Sequence, residues 1–308
     1  MYKVFIDGRE GTTGLRIFER LEKREDVEIT VLPEELRKDP GARSEAINGS
    51  DAAFLCLPDA AAVQSAEMVK NSRVRIFDTS TAHRTAEGWA YGFPELSPEH
   101  MEAVKNSQYV AVPGCHASGF IALVYPLVKA GILSPDTLLS CFSVTGYSGG
   151  GKKMIAQYEA KDRPGLLDFP RQYGLTQNHK HLKEMRHITG IENFPAFCPV
   201  VGDFYSGMCV TVPVFARDLN GGIEDIKSVY RGLYGGSIVK YAENADEDGF
   251  ISAGAYSGRD GMEIAAFGNA DRIILNARYD NLGKGASGAA IECLNIAMGL
   301  APDTGLEL

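Results

Sequence analysis

Tyr2-Lys3-Val4-Phe5-Ile6-Asp7-Gly8-Arg9-Glu10-Gly11-Thr12-Thr13-Gly14 opens with an apolar run, breaks on a glycine-rich turn and leads into a helical pattern over residues 13–23. Such an order predicts a strand, a tight turn and a helix. The rhythm continues with apolar runs at 27–32, 52–55 and 74–77 and a helical pattern at 60–71. Strands alternating with helices imply a parallel sheet with right-handed crossovers, a Rossmann-type arrangement. In that setting glycines let the backbone approach a pyrophosphate, and the helix start offers unpaired N–H groups and a positive dipole end. The spacing is G-x-x-G-x-x-G, which departs from G-x-G-x-x-G, so the loop reads either as a dinucleotide site or as a plain tight turn.

After Pro113 the pattern changes. A helix is expected from about residue 115 to 130, and β-rich stretches follow at 138–145, 196–204, 208–215 and 272–279. Their alternation predicts an antiparallel or mixed sheet with one covered face. The polar segment 146–193 holds three of the six histidines, and its length suggests helical or functional inserts. The last pattern, 285–300, puts Ala289, Ala290, Cys293, Leu294, Ala297 and Met298 on one helical face. The expected fold is therefore α/β. It combines a parallel-sheet dinucleotide domain, residues 1–113 with 285–308, and an α+β catalytic and oligomerisation domain with a mixed sheet, residues 114–284.

A chain of 308 residues is long enough for two cores. Its formal charge of -9 leaves no cationic excess to neutralise a nucleic-acid backbone. No apolar run has the length of a membrane span, and the start runs straight into a strand, so a cytoplasmic location is expected. The six cysteines show no C-x-x-C pairing and read as reduced thiols, mostly buried hydrophobes.

Cys115 stands apart from the other cysteines. In Val112-Pro113-Gly114-Cys115-His116-Ala117-Ser118-Gly119 the thiol falls in the first turn of a helix, where N–H groups and the helix dipole favour thiolate. The same N–H groups suit an oxyanion. In Asn178-His179-Lys180-His181-Leu182-Lys183-Glu184, His181 and Glu184 share a helical face, so the carboxylate can orient the imidazole for proton transfer. A solvated polar helix is the plainer reading, and no metal is expected, since no further ligand lies in close register. The second strand ends Val31-Leu32-Pro33, without the acid that binds a free ribose hydroxyl. Glu34 and Glu35 just beyond keep NAD open, and Arg9, Arg37 and Lys38 could pair with a 2'-phosphate, although the plainer reading of each alone is a solvated surface charge.

With these residues in hand, the sequence resembles the shorter N-acetyl-gamma-glutamyl-phosphate reductases, within the aspartate-semialdehyde dehydrogenase superfamily. The likeness runs essentially end to end. It rests on residues 8–14, Asp78-Thr79-Ser80-Thr81-Ala82-His83-Arg84, Tyr91-Gly92-Phe93-Pro94-Glu95-Leu96, Pro113-Gly114-Cys115, Ser148-Gly149-Gly150-Gly151-Lys152, residues 179–184 and Asp280-Asn281-Leu282-Gly283-Lys284-Gly285-Ala286-Ser287-Gly288. The resemblance implies Cys115 as nucleophile, His181 as acid/base and Glu184 as its orienting group. It implies NADP(H) held by Gly8, Gly11, Thr12, Thr13, Gly14, Leu57, Pro58, Ser80, Asn281, Lys284 and Gly285. Arg84, Ser148, Gly149 and His179 are implied as substrate-facing, and a homo-oligomer, dimer or tetramer, is usual. Two departures stand out. The family run is more often D-L-S-A-D-F-R, which leaves the part of His83 open, and His116 takes the place of a common Tyr.

The implied reaction is NADPH-dependent reduction of N-acetyl-5-glutamyl phosphate to the 5-semialdehyde through a Cys115 thioester, in arginine biosynthesis. Aspartate-semialdehyde dehydrogenase and a carrier-linked amino-adipyl-phosphate reductase are the neighbouring alternatives. A nucleotide-binding regulator without turnover, or a thiol hydrolase using Cys115 and His116, would belong to different classes.

Overall fold

Val4 and Ile6 point to one side of the first strand and Phe5 to the other, and the same division runs through Ala52 and Phe54 against Ala53 and Leu55. A strand apolar on both faces must be covered on both. In the computed structural model, which describes residues 1–308, two units are present: Met1–Gly114 with Ala286–Leu306, and Cys115–Gly285 with Glu307–Leu308.

The first unit contains β1 (Tyr2–Asp7), α1 (Thr12–Leu21), β2 (Val27–Thr30), α2 (Pro40–Asn48), β3 (Ala52–Leu55), α3 (Asp59–Glu67), β4 (Arg75–Asp78), β5 (Ala90–Tyr91), α4 (Pro98–Asn106) and β6 (Tyr109–Ala111). Its sheet is parallel throughout, in the order β2-β1-β3-β4-β6-β5. Ile17 and Leu21 of α1 cover the Val4 side, and Ala46, Ile47 and Ala62 of α2 and α3 cover the Phe5 side. The parallel sheet expected from the sequence is observed, and it is covered on both faces.

The second unit contains α5 (Cys115–Lys129), β7 (Ser140–Gly146), α6 (Gly151–Glu159), β8 (Arg171–Gln172), α7 (His181–Thr189), β9 (Ala196–Gly202), β10 (Met208–Phe215), α8 (Ile223–Leu233), β11 (Val239–Tyr241), β12 (Met262–Gly268) and β13 (Arg272–Tyr279). The sheet order is β11-β12-β13-β10-β7-β9-β8, with parallel pairs β11·β12 and β7·β9 and antiparallel pairs elsewhere, so it is mixed as expected. The polar segment 146–193 carries α6, the short strand β8, α7 and short turns. A π-turn, Gly283–Ser287, then leads into α9 (Gly288–Ala297), whose Ala289, Ala290, Cys293 and Leu294 join the first unit's core.

Helix α5 is buried along almost its whole length although Pro126 lies inside it. Proline removes one N–H and leaves the carbonyl four residues back without its helical partner. Here that carbonyl is Ala122 O, and it accepts a hydrogen bond from the Tyr234 hydroxyl at 2.7 Å. Tyr230 donates likewise to Leu123 O at 2.7 Å, so α8 and its C-terminal tyrosine repair the break. One sheet face lies under α5. The opposite face exposes Phe142, Phe215 and Ile274, which share a side because Thr211 pairs with Phe142 and Pro213 with Ile274.

Candidate active site

In the first unit the turn after β1 is shaped by close backbone approach. Gly8 has φ +84°, and a Cβ there would lie 2.3 Å from Cys56 O. A Cβ on Gly14 would lie 2.6 Å from Gly8 O. Gly11 caps α1 without any side-chain hydrogen bond to the first turn. Thr12 Oγ1, Arg9 Nε and Arg16 Nε are buried without a hydrogen-bond partner. Buried polar atoms cost free energy unless something pairs with them. A glycine cradle, an uncapped helix start and three such atoms fit a phosphate-bearing ligand.

Beside the loop is a cleft of about 340 Å³ lined by Gly8, Arg9, Leu32, Arg37, Lys38 and Leu57, among others. Arg37 is held 3.2 Å from Glu10, while Glu34 and Glu35 are absent from the lining. At the cleft floor the sequence reading missed a buried anchor. Asp7 accepts from Arg43 at 2.8 Å and from Ser65 Oγ at 2.9 Å. Pro58 stands at the N-cap of α3, next to Leu57.

The turn after β4 gathers around Asp78, which accepts from Ser80 N at 2.8 Å and Ser80 Oγ at 2.7 Å and pairs with His83 Nδ1 at 2.6 Å. His83 also stacks on Trp89 at 3.9 Å between ring centres, so this departure from the usual run is a structural anchor. Arg84 is buried and donates to Val112 O and Thr79 O, each at 2.9 Å, which ties this turn to the chain leaving β6.

In the second unit Cys115 is the first residue of α5 and partly exposed. Its helical turn is spliced. Gly119 N donates to the Tyr279 hydroxyl at 3.0 Å, and that hydroxyl donates to Cys115 O. A Cβ on Gly119 would sit 2.7 Å from the Tyr279 oxygen, so the splice requires glycine. Gly285 packs on the Cβ of Cys115, where an added Cβ would come within 3.1 Å.

The other cysteines are shielded. Desolvation pushes the Cys56 thiol up to about 12, and burial also raises Cys141 and Cys209. Buried Cys293 donates weakly to Gly92 O at 3.5 Å.

Three imidazoles and a phenol cluster around His116, the residue that follows Cys115. The His116 ring centre lies 5.8 Å from His179 and 5.7 Å from His181, and the His179 and His181 rings are 4.7 Å apart. His181 opens α7, and His181 and Glu184 are both buried on its inner face. His179 precedes the helix and accepts from His181 N at 3.3 Å. Burial, with a smaller contribution from Lys180, lowers the His179 pKa. His116 Nδ1 meets Ser143 Oγ and Nε2 meets the Tyr173 hydroxyl, both at 2.6 Å. Burial, then the neighbouring His179, pushes His116 down to about 3. Tyr173, Ser143 and Tyr279 escaped the sequence reading because their neighbours are far along the chain.

Asn281 and Ser148, expected on different ligands, are joined to each other. Asn281 Nδ2 donates to Ser148 Oγ at 2.9 Å, and Asn281 Oδ1 accepts from Gly207 N at 3.0 Å. Gly149 lies alongside, where an added Cβ would be 3.5 Å from Asn281 Nδ2. Buried Asp280 organises the same turn by accepting from Ser206 Oγ and Leu282 N at 2.7 Å and from Gly258 N. Lys284 is buried in the π-turn. No group of three or more His, Cys, Asp or Glu side chains is placed to hold a metal ion, and no helix is long and apolar enough to cross a membrane.

Comparison with known proteins matches residues 115–281 to the semialdehyde dehydrogenase dimerisation domain and residues 33–104 to the semialdehyde dehydrogenase NAD-binding domain. An N-acetyl-gamma-glutamyl-phosphate reductase of Nostoc sp. is 42% identical over 318 aligned positions, covering 99% of each chain. Among solved structures, aspartate semialdehyde dehydrogenase II of Vibrio cholerae superposes with a TM-score of 0.72 over 97% of this chain and 98% of its own, at 16% identity. The Candida albicans aspartate semialdehyde dehydrogenase with NADP gives 0.67 over 97% and 98%, also at 16%. At that identity the structural likeness speaks for the fold alone.

Proposed function

Because this chain belongs to the N-acetyl-gamma-glutamyl-phosphate reductase family, we propose that it reduces N-acetyl-5-glutamyl phosphate to N-acetyl-L-glutamate 5-semialdehyde and phosphate, in the cytoplasm, as a step of arginine biosynthesis. The observation that carries the reading is a partly exposed thiol at the head of α5, followed directly by His116, whose ring joins a cluster of three imidazoles.

The Cys115 thiolate attacks the acyl carbon. A C–S bond forms, the C–O bond to phosphate breaks, and phosphate leaves with the electron pair. Bound NADPH supplies the hydride that reduces the thioester carbon. His181 gives its proton to the resulting alkoxide oxygen. It then takes the hydroxyl proton back as the C–S bond breaks and sulfur recovers its electron pair. His116 is unsuited to that role, since both of its nitrogens are engaged and its pKa of about 3 keeps it neutral. Glu184, one turn from His181 on α7, orients the base, and His179 faces the substrate with Ser148, Gly149 and Arg84.

NADP would be held by Gly8, Gly11, Thr12, Thr13 and Gly14, with Leu57, Pro58 and Ser80, and by Asn281, Lys284 and Gly285. Preference for NADP over NAD rests on Arg9, Arg37 and Lys38, which line the cleft together with Glu10, the partner of Arg37, and outnumber that acid there. The working form is a homo-oligomer, a dimer or tetramer, built on the exposed sheet face of Phe142, Phe215 and Ile274.

The deciding assay supplies N-acetylglutamate semialdehyde, phosphate and each nicotinamide in turn. Reduction of NADP should exceed that of NAD by at least about tenfold, and Cys115→Ala should lose about 10⁴-fold or more in rate. Near-native activity in Cys115→Ala, or no turnover by the wild type, ends the proposal.

A further inference from the structure

Ser143, His116 and Tyr173 form a linear chain in the second unit, with both links at 2.6 Å. Ser143 and His116 are buried, and Tyr173 is partly exposed at the open end. Ser143 lies on the face of β7 that is turned toward α5, and His116 follows the nucleophile directly. Nothing in the mechanism above uses this chain.

We propose that the Tyr173 hydroxyl donates a hydrogen bond to the acyl oxygen of species bound on Cys115, aimed by a neutral His116 that Ser143 braces. The proposal rests on the covalent role assigned to Cys115 above and not on which acyl group is the natural one.

A neutral imidazole offers one donor and one acceptor. When Ser143 donates to Nδ1, Nε2–H donates to the phenolic oxygen, and the phenol's own proton is left for an acceptor outside the chain. Burial keeps His116 in this state across the working pH range, with its pKa near 3. Tyr173 is raised by burial and then by the charge on Cys115, so the phenol keeps its proton and feels the thiolate's charge. A protonated phenol that neighbours the nucleophile, with its oxygen tethered, is a donor and not a base. The developing oxyanion has lone pairs for Tyr173 and for His181 together. A fixed donor at such an oxygen lowers the barrier more than the ground state. Tyr173 is thus a catalytic residue, and His116 and Ser143 are positioning residues.

Two reagents separate oxyanion stabilisation from general damage to the thiol. With p-nitrophenyl acetate, Cys115 sulfur adds to the carbonyl and p-nitrophenolate leaves with the electron pair, passing through an oxyanion. With iodoacetamide, sulfur displaces iodide and no oxyanion forms. Tyr173→Phe should slow the p-nitrophenolate burst by ~10- to 100-fold while the iodoacetamide rate stays within about twofold. Ser143→Ala should show the same split more weakly, and the double variant should match Tyr173→Phe alone, because both act through one chain. A burst within about twofold of wild type in Tyr173→Phe, equal slowing by both reagents, additive losses or no wild-type burst at all each overturn the proposal. A wild-type burst without turnover of N-acetylglutamate semialdehyde removes only the substrate assignment and leaves Tyr173 in place.

Discussion

Helices α1 and α5 both start where a turn bearing glycine leaves a strand, yet their first turns are completed in opposite ways. At α1 the Gly11 cap brings no side chain, and Thr12 Oγ1, Arg9 Nε and Arg16 Nε are buried without partners. At α5 the chain supplies its own partners, with the Tyr279 hydroxyl threaded between Gly119 N and Cys115 O. The first arrangement suits an exchangeable ligand that brings its own partners, and the second fixes the turn by a side chain before any ligand arrives.

The largest way to break this contrast is Gly8→Ala. At φ +84° a side chain is strained, and the new Cβ would lie 2.3 Å from Cys56 O. Displacing that turn should weaken NADPH binding by about 100-fold, on the order of 3 kcal/mol, in a fluorescence titration. Iodoacetamide modification of Cys115 should keep its rate. Affinity within about threefold of wild type would show that the loop does not depend on close backbone approach.

Tyr279→Phe tests the other side. It strips the bridge from buried Gly119 N and part-buried Cys115 O and should cost about 1 to 3 kcal/mol in urea unfolding, with NADPH affinity unchanged. Unaltered stability would mean that the first turn of α5 closes equally well without the phenol, and the contrast would lose its second half.

The same contrast explains what could be read in advance. The cradle is local, so residues 8–14 display it directly, and the runs at 52–55, 208–215 and 272–279 coincide with β3, β10 and β13. Helix α2 was not visible because Pro40-Gly41-Ala42-Arg43-Ser44-Glu45-Ala46-Ile47-Asn48 lacks an apolar stripe and starts instead from the Asp39 cap on Ala42 N. Strand β12 was hidden by its charge. Glu263 breaks the apolar alternation, yet it is buried because Arg278, its partner across β13, donates at 2.6 Å. The placement of Cys115 in the first turn of a helix and of His181 with Glu184 on one helical face was legible, and α5 and α7 put them there. Tyr173 and Tyr279 were not, since they meet the Cys115 region across 57 and 164 positions of chain. His116 was legible as a neighbour of the thiol, but its ring turns toward Ser143 and Tyr173.

The smallest and sharpest test is Thr12→Val, which exchanges a hydroxyl for a methyl of similar size and helix propensity. In the free protein Oγ1 is buried and unpaired, so removing it sacrifices no hydrogen bond and relieves a desolvated polar atom. The melting temperature without ligand should therefore hold or rise slightly. With saturating NADPH the wild type should gain a partner for that oxygen and the variant should not. Affinity should fall about fivefold, near 1 kcal/mol, and the ligand-induced rise in melting temperature should shrink accordingly. Were the variant instead less stable alone and equally tight for NADPH, Thr12 would be part of the scaffold, and the open first turn of α1 would owe nothing to a ligand.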